Sequence, residues 1–114
     1  MSAAPGAPRL PRVAFIGGVE RLEREIVSFG EALGIEVEVH NGHTSGGGGG
    51  IARLTALVHR NDQVVIVTGT NSHAAVRTAK KEAARSGARV RILKFCGAGT
   101  ARLLLTEIAR AVAA

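Results

Sequence analysis

Residues 64–73 read VVIVTGTNSH, and this stretch decides the fold class of the chain. The first four residues are an unbroken β-branched run, which is typical of a central strand that is covered on both faces. The polar residues that follow end in Ser72 and His73, where a helical pattern begins that continues to residue 86. A strand that passes through a short polar turn into a helix predicts a βα unit of an α/β sheet.

Three more βα units are predicted around this one. Strands are expected at residues 12–16, 35–39 and 90–95, and helices at residues 20–33, 51–58 and 99–112. Alternating strands and helices predict parallel pairing through right-handed crossovers. The order 2-1-3-4 places the apolar first and third strands centrally and the alternating second strand at an edge. The predicted fold class is therefore α/β, a small open parallel four-stranded sheet with helices on both faces, Rossmann-like in its connections.

Length and composition indicate one domain. With 114 residues the chain is near the lower end of sizes that support a core, so we expect residues 12–114 to form a single domain that is stabilised as a homodimer. Residues 1–11 contain all three prolines and no long apolar core, and are predicted to be a disordered tail. The single Cys excludes an internal disulfide, and no apolar stretch approaches the roughly 20 residues of a membrane span. We therefore expect a cytoplasmic protein with no membrane partner.

The net charge of +6 lies entirely in the second half of the chain. Residues 61–114 contain nine Lys or Arg and three acidic residues, whereas the six Arg and six Glu of residues 1–60 cancel. This asymmetry predicts an anionic partner, either a nucleotide or a nucleic acid. The residues expected to contact nucleic-acid phosphates are Arg77, Lys80, Lys81, Arg85, Arg89 and Arg91. A solvated helix face explains the same charges equally well, and with no Trp, no Tyr and three Phe the chain lacks the aromatic platform on which single-strand binders stack bases.

Glycine and small polar residues collect where the predicted strands end and the helices begin. Open α/β sheets bind their ligands at this edge, and helix N-termini offer an anion unpaired backbone N–H groups and a partial positive charge. We therefore predict a site for a phosphate or carboxylate at the carboxyl ends of the strands. Its expected residues are Gly17, Gly18, Asn71, Ser72, His73, Arg77, Gly97, Thr100 and Arg102. The alternative is that these residues are the caps and turns that any βα loop needs.

Five consecutive glycines, Gly46–Gly50, follow the second strand. Their high backbone entropy predicts a slack connector, and the alternative is a flap that closes over the ligand. No Gly-x-Gly-x-x-Gly follows the first strand and no Lys-Ser or Lys-Thr follows the glycines, so the sequence supports neither a standard dinucleotide site nor a P-loop. The sequence names no cofactor.

Two alternative chemistries involve Cys96. Residues 96–102, CGAGTAR, resemble the phosphate loop of cysteine-dependent phosphatases, in which Cys96 is the nucleophile and Arg102 clamps the phosphate. Phe95 and Leu103 depart from the flanking residues that many of those enzymes have, and no Asp is evident as general acid, so we expect a binding module rather than an enzyme. The other alternative is a zinc or copper site, whose ligands would be His40, His43, His73 and Cys96, although the strand order separates them.

The motifs at the ends of the strands together resemble one family. They are Gly17-Gly18 after the first strand, His40-Asn41-Gly42 after the second, Asn71-Ser72-His73 after the third, and then Lys80-Lys81 and Gly87. From Val13 to Ile108 the chain resembles the bacterial domain-of-unknown-function family 2325. The resemblance implies a small cytoplasmic Rossmann-like domain and carries no established biochemical activity. The five glycines and Cys96-Gly97 depart from the family pattern.

The sequence therefore predicts a non-enzymatic module that binds a phosphate-bearing anionic ligand at the carboxyl ends of the strands. A cysteine-dependent phosphatase, a His/Cys metal-binding protein and a purely structural dimerisation domain are the alternatives. The surroundings of Cys96 and of the histidines distinguish among them.

Overall fold

Four parallel strands form the central sheet in a computed structural model, which describes residues 10–43, 50–69 and 71–113. The strands are β1 (Arg12–Ile16), β2 (Glu36–His40), β3 (Gln63–Val67) and β4 (Arg89–Leu93), and their order is β2-β1-β3-β4. The helices are α1 (Glu23–Ala32), α2 (Gly50–His59), α3 (His73–Ser86) and α4 (Ala98–Ala113). The predicted fold class and strand order are confirmed.

The central strands are buried on both sides of the sheet. In β1, Val13 and Phe15 pack under α1 and α4, whereas Ala14 and Ile16 pack under α2 and α3, and all four are fully buried. The four residues 64–67 of β3 alternate between the same two layers. The unbroken apolar run in the sequence is therefore explained by a strand that has no solvent-exposed face.

The observed boundaries differ from the predicted ones at three elements. The predicted helix 20–33 is interrupted, because Leu22 N donates to Val19 O at 2.8 Å and residues 20–22 form a 3-10 turn before α1. Strand β2 is shifted by one residue and includes His40, whose carbonyl accepts from Gly17 N at 2.8 Å. Strand β4 ends at Leu93, so Phe95 lies outside the strand in which it was expected.

The two edges of the sheet have different chemistry. On β2, Glu36 accepts from Arg12 Nε at 2.8 Å, and Glu38 accepts from Arg60 Nε at 2.8 Å. The hydrogen bond from Arg60 is the main cause that holds the pKa of Glu38 below its usual value. On β4, Val90 and Ile92 expose 39% and 51% of their surface. Glu36 and Glu38 at one edge are therefore held in ion pairs, whereas the other edge carries Arg89 and Arg91 and leaves Val90 and Ile92 exposed.

Polar groups also join the elements at the amino ends of the strands. Asn61 donates through Nδ2 to Leu57 O at 2.7 Å and to Glu38 Oε1 at 3.1 Å. Asp62 accepts from Arg12 N at 2.8 Å, which ties the start of β1 to the start of β3.

None of the helices in the described part of the chain is long and apolar enough to cross a membrane. Residues 1–9 of the predicted tail lie outside the described residues, whereas Pro11 already joins the sheet by accepting from Glu36 N at 2.9 Å.

Replacing Gly30 by Ala is expected to destabilise the domain. Gly30 is buried in α1, and a Cβ at this position would overlap Cγ2 of Val37 on β2. Overpacking of this kind lowers the free energy of unfolding by about 1–3 kcal/mol, which urea denaturation followed by circular dichroism measures. The matched control is Gly99→Ala in α4, where a Cβ meets no atom and should stabilise by about 0.5–1 kcal/mol. Equal stability of Gly30→Ala and the wild type would contradict the prediction.

Candidate ligand-binding site

Asn71 joins the ends of β1 and β3 at the carboxyl edge of the sheet. Its Nδ2 donates to Ile16 O at 3.2 Å. The side chain lies between Gly17 and Gly42, which have φ values of 99° and 83°. A Cβ at either glycine would overlap the Asn71 amide. The two glycines are therefore required both by the left-handed backbone and by the close approach of Asn71.

Ser72 joins the loop after β2 to the start of α3. Its Oγ accepts from Ala75 N at 3.1 Å, as an N-cap does, and donates to Gly42 O at 3.0 Å. Together, Asn71 and Ser72 connect the loops that follow β1, β2 and β3 into one rim. Gly42 belongs to this rim but was absent from the predicted site residues, although it stands in the His40-Asn41-Gly42 motif that could have found it.

His40 builds the loop after β2 rather than offering a free ring. Its Nδ1 accepts from Gly42 N at 2.9 Å, so the proton of the neutral ring is on Nε2. Burial lowers the pKa of His40, and Arg53 and His43 contribute in the same direction. The next turn is closed by His43 N, which donates to Asn41 Oδ1 at 2.8 Å. The hydrogen bond accepted by Nδ1 and the lowered pKa both favour a neutral His40 ring that is bonded within the protein.

The start of α3 is the part of the rim that remains open to a ligand. His73 is its first residue and is exposed. In the described part of the chain, the backbone N–H groups of His73 and Ala74 make no hydrogen bond. Arg77 is exposed one turn later, and side chains on a helix lean toward its N-terminus. Backbone donors, the helix dipole and a guanidinium therefore converge on the place where an anion would lie.

The predicted residues of the fourth loop do not all face this rim. Gly97 and Thr100 are exposed at the start of α4, and Gly97 O accepts from Ala101 N at 3.0 Å. Arg102 instead contacts α1, where its Nη2 lies 3.4 Å from Glu25 Oε2 and its guanidinium lies 5.3 Å from the ring centroid of Phe29. Arg102 thus connects two helices in this structure.

Cys96 has the environment of a core residue. Its surface is 8% exposed, it belongs to the apolar layer under α1 and α4, and Sγ lies 3.6 Å from Gly97 O. Burial raises the pKa of the Cys96 thiol, whereas a nucleophilic cysteine requires a lowered pKa. Arg102 points to α1 through an exposed ion pair, which is weak and exchangeable, so the buried thiol is the main observation against a cysteine-dependent phosphatase.

The possible metal ligands are dispersed. His40 pairs in register with Ile16 and therefore lies on the α2 and α3 side of the sheet, opposite the layer that contains Cys96. Within residues 10–43, 50–69 and 71–113, no three His, Cys, Asp or Glu side chains are grouped so that they could hold a metal ion. Gly46–Gly49, where the slack connector and its flap alternative are predicted, fall outside the described residues.

The basic residues predicted to contact nucleic acid lie on the surface of α3 and β4. The exposed members are Arg77, Lys80, Lys81, Arg85 and Arg89. Two of the set lie near carboxylates at 3.4 Å, Arg85 beside Glu82 and Arg91 beside Glu107. Arg91 and Glu107 form an exposed pair, which holds the guanidinium only weakly, whereas Glu82, the partner of Arg85, is buried and also contacts His59 at 2.8 Å.

Comparison with known proteins gives one match. A family model described as "Uncharacterized protein conserved in bacteria (DUF2325)" matches residues 12–108. This match confirms the resemblance identified from the sequence motifs. No curated protein and no solved structure matches the chain.

Replacing Asn71 by Ala is expected to loosen the rim and to destabilise the domain. The variant leaves Ile16 O without its side-chain donor and opens a void between Gly17 and Gly42. An unsatisfied buried carbonyl lowers the free energy of unfolding by about 1–3 kcal/mol. The control is Asn41→Ala, because Asn41 is exposed and its Oδ1 accepts only from His43 N in the described residues. Urea denaturation would contradict the assignment if both variants lost the same stability.

Stability is expected to fall as the pH falls through the titration of His40. The unfolded chain titrates near pH 6.5, and the folded pKa is lower, so the unfolded state binds more protons just below pH 6.5. The contribution of neutral His40 is complete above pH 6.5 and is lost progressively as the pH falls toward the folded pKa. His40→Asn keeps an acceptor for Gly42 N without a titrating ring and should flatten this slope. Urea denaturation at pH 7.5, 6.5 and 5.5 measures it, and an unchanged slope would assign it elsewhere.

Proposed function

The chain belongs to the bacterial family DUF2325, and we propose that it is a cytoplasmic, non-enzymatic module that binds a phosphate-bearing ligand at the carboxyl edge of its sheet. The ligand is a nucleotide or a nucleic-acid backbone. The observation that carries the proposal is that some polar groups at the rim bond to other loops, whereas others face solvent. Asn71 and Ser72 connect the loops internally, whereas the N-terminus of α3 keeps its first backbone donors directed outward.

The charge distribution supports an anion over a neutral ligand. Arg77 lies one turn into α3, and Lys80 and Lys81 follow on its exposed surface. The field of these charges adds to the partial positive charge of the helix N-terminus. A phosphate, with several acceptor oxygens, uses both the backbone donors and a bidentate guanidinium. Gly18, which is partly exposed and has a φ of 66°, puts no side chain between the first loop and such an anion, whereas Gly17 is covered by Asn71.

The same geometry argues against thiol chemistry as the function. A buried Cys96 with a raised pKa is protonated at neutral pH, and Arg102 is directed toward Glu25 and Phe29 on α1. We therefore prefer binding to hydrolysis. We also propose that the module is a homodimer, since the open edge of β4 with Val90 and Ile92 is the surface that a second copy would cover.

Isothermal titration of inorganic pyrophosphate tests the phosphate site. Arg77→Ala is expected to weaken binding about tenfold or more, because it removes a charged hydrogen-bond donor. The matched control is Arg110→Ala, which removes the same charge from an exposed position near the far end of α4 and should leave affinity unchanged. Equal effects of the two variants, or no binding by the wild type at low salt, would refute the site.

Three further measurements separate the alternatives. Because the chain has no Trp and no Tyr, a 260 nm absorption band in freshly purified protein reports a co-purified nucleotide or nucleic acid. Nucleic-acid binding through phosphates must weaken steeply with salt, and Lys80→Ala with Lys81→Ala should reduce that salt dependence. Hydrolysis of an aryl phosphate by the wild type that Cys96→Ser abolishes would instead establish the phosphatase alternative.

A further inference from the structure

Phe95 is an exposed aromatic ring beside the rim. Its surface is 66% exposed, whereas Phe15 is fully buried in the core and Phe29 is half-buried beneath Arg102. From the sequence pattern, Phe95 is expected inside a strand, and the small number of aromatic residues predicts no platform for bases. Because β4 ends at Leu93, Phe95 lies in the following loop at the carboxyl edge of the sheet. There its exposed ring is an aromatic surface that the sequence pattern did not predict.

The ring is held in place by the backbone of the loop after β3. Gly69 N donates to Lys94 O at 2.7 Å, and Thr68 N donates to Leu93 O at 2.8 Å. A Cβ at Gly69 would overlap both Lys94 O and the Cε1 and Cδ1 atoms of Phe95. Gly69 therefore lets the ring rest against the loop backbone. The loop backbone supports the Cδ1 and Cε1 edge of the ring while most of the side chain stays exposed, so a stacking partner would find the ring already positioned.

The position and charge of this ring suit a nucleotide. Gly69, which contacts the ring, precedes His73 at the start of α3 by four residues, so their Cα atoms are at most about 15 Å apart. Because both lie at the carboxyl edge of the sheet, one ligand with a planar base and a phosphate can extend from the ring toward the start of α3. Lys94 Nζ lies over one face of the ring, 5.7 Å from its centroid, so a base stacks on the other face or displaces this side chain, and the charge of Lys94 suits a phosphate-bearing ligand.

We propose that Phe95 is the stacking platform for the nucleobase of a ligand whose phosphate binds at the N-terminus of α3. This inference rests on the proposed function and narrows the ligand class from phosphates in general to those that carry a nucleobase. Stacking on an aromatic face is tolerant of base identity, so Phe95 supplies affinity for a base rather than selection among bases. The base comes either from a mononucleotide or from single-stranded nucleic acid.

Phe95→Trp gives a direct readout, because the natural chain has no Trp. A base that stacks on the introduced indole should quench its fluorescence. We expect quenching by adenosine 5′-monophosphate and none by ribose 5-phosphate, which carries the phosphate without the base. Quenching by the mononucleotide assigns the base to a free nucleotide, and quenching by oligodeoxyadenylate alone assigns it to single-stranded nucleic acid. No quenching by any adenine compound would overturn the proposal.

Phe95→Ala tests the energetic role by isothermal titration. Without the ring, one base loses its stacking partner. The adenine compound that quenches Phe95→Trp fluorescence should therefore bind Phe95→Ala roughly 5- to 150-fold more weakly, and ribose 5-phosphate should bind with unchanged affinity. The matched control is Val112→Ala near the far end of α4, since Val112 is 59% exposed and should change neither affinity. An equal loss for both ligands would show that Phe95 only supports the loop, and would overturn the proposal.

The outcomes separate the two proposals. Binding of pyrophosphate and ribose 5-phosphate without preference for the adenine compounds would leave the phosphate site standing and refute the stacking platform. Quenching by adenosine with no contribution from its phosphate would support the platform and refute the phosphate site. If sedimentation velocity showed that Phe95→Ala abolishes self-association while adenine affinity is unchanged, the ring would belong to a protein interface and the proposal would be overturned.

Discussion

The burial of β1 and β3 on both faces is the constraint on which the rest of the structure depends. Because neither strand has a wet face, helices must cover both sides of the sheet, and each connection must return from the end of one strand to the start of the next. All four helices therefore begin at the carboxyl edge. The polar loops meet there as a consequence of how the core is covered.

Within that edge, the side chains divide into those that build loops and those that face solvent. Asn71 Nδ2 and Ser72 Oγ bond backbone carbonyls of neighbouring loops, and His40 Nδ1 accepts from Gly42 N within its own loop, while the buried Asn71 Oδ1 has no hydrogen-bond partner among the described residues. His73 and Arg77 are exposed and lie on a helix whose start is fixed by the first group. A ligand at this edge would meet donors that are already positioned, so binding would require little further ordering of the backbone.

Periodicity predicted the sheet because it reflects burial, which is the dominant energy of the fold. The run at residues 64–67 and the alternation at residues 35–39 identified a central and an edge strand correctly. Patterns near the ends of elements carried less information, since the end of β4 and the position of Phe95 depend on hydrogen bonds from a distant loop. Similarly, Cys96 packs in the apolar layer under α1 and α4, and Arg102 contacts Glu25 on α1. The local motif of residues 96–102 contains no information about these distant contacts.

The ion pairs on β2 also limit how this protein can associate. A head-to-tail chain of molecules would need the β4 edge of one copy to pair with the β2 edge of the next. On β2, Arg12 and Arg60 already hold Glu36 and Glu38, and inserting a strand beside these charges would require their desolvation. Strand addition at β2 is therefore costly, whereas β4 carries Arg89 and Arg91 but leaves Val90 and Ile92 exposed. If two copies paired through the same edge, their interface would close on itself and would not continue into a filament.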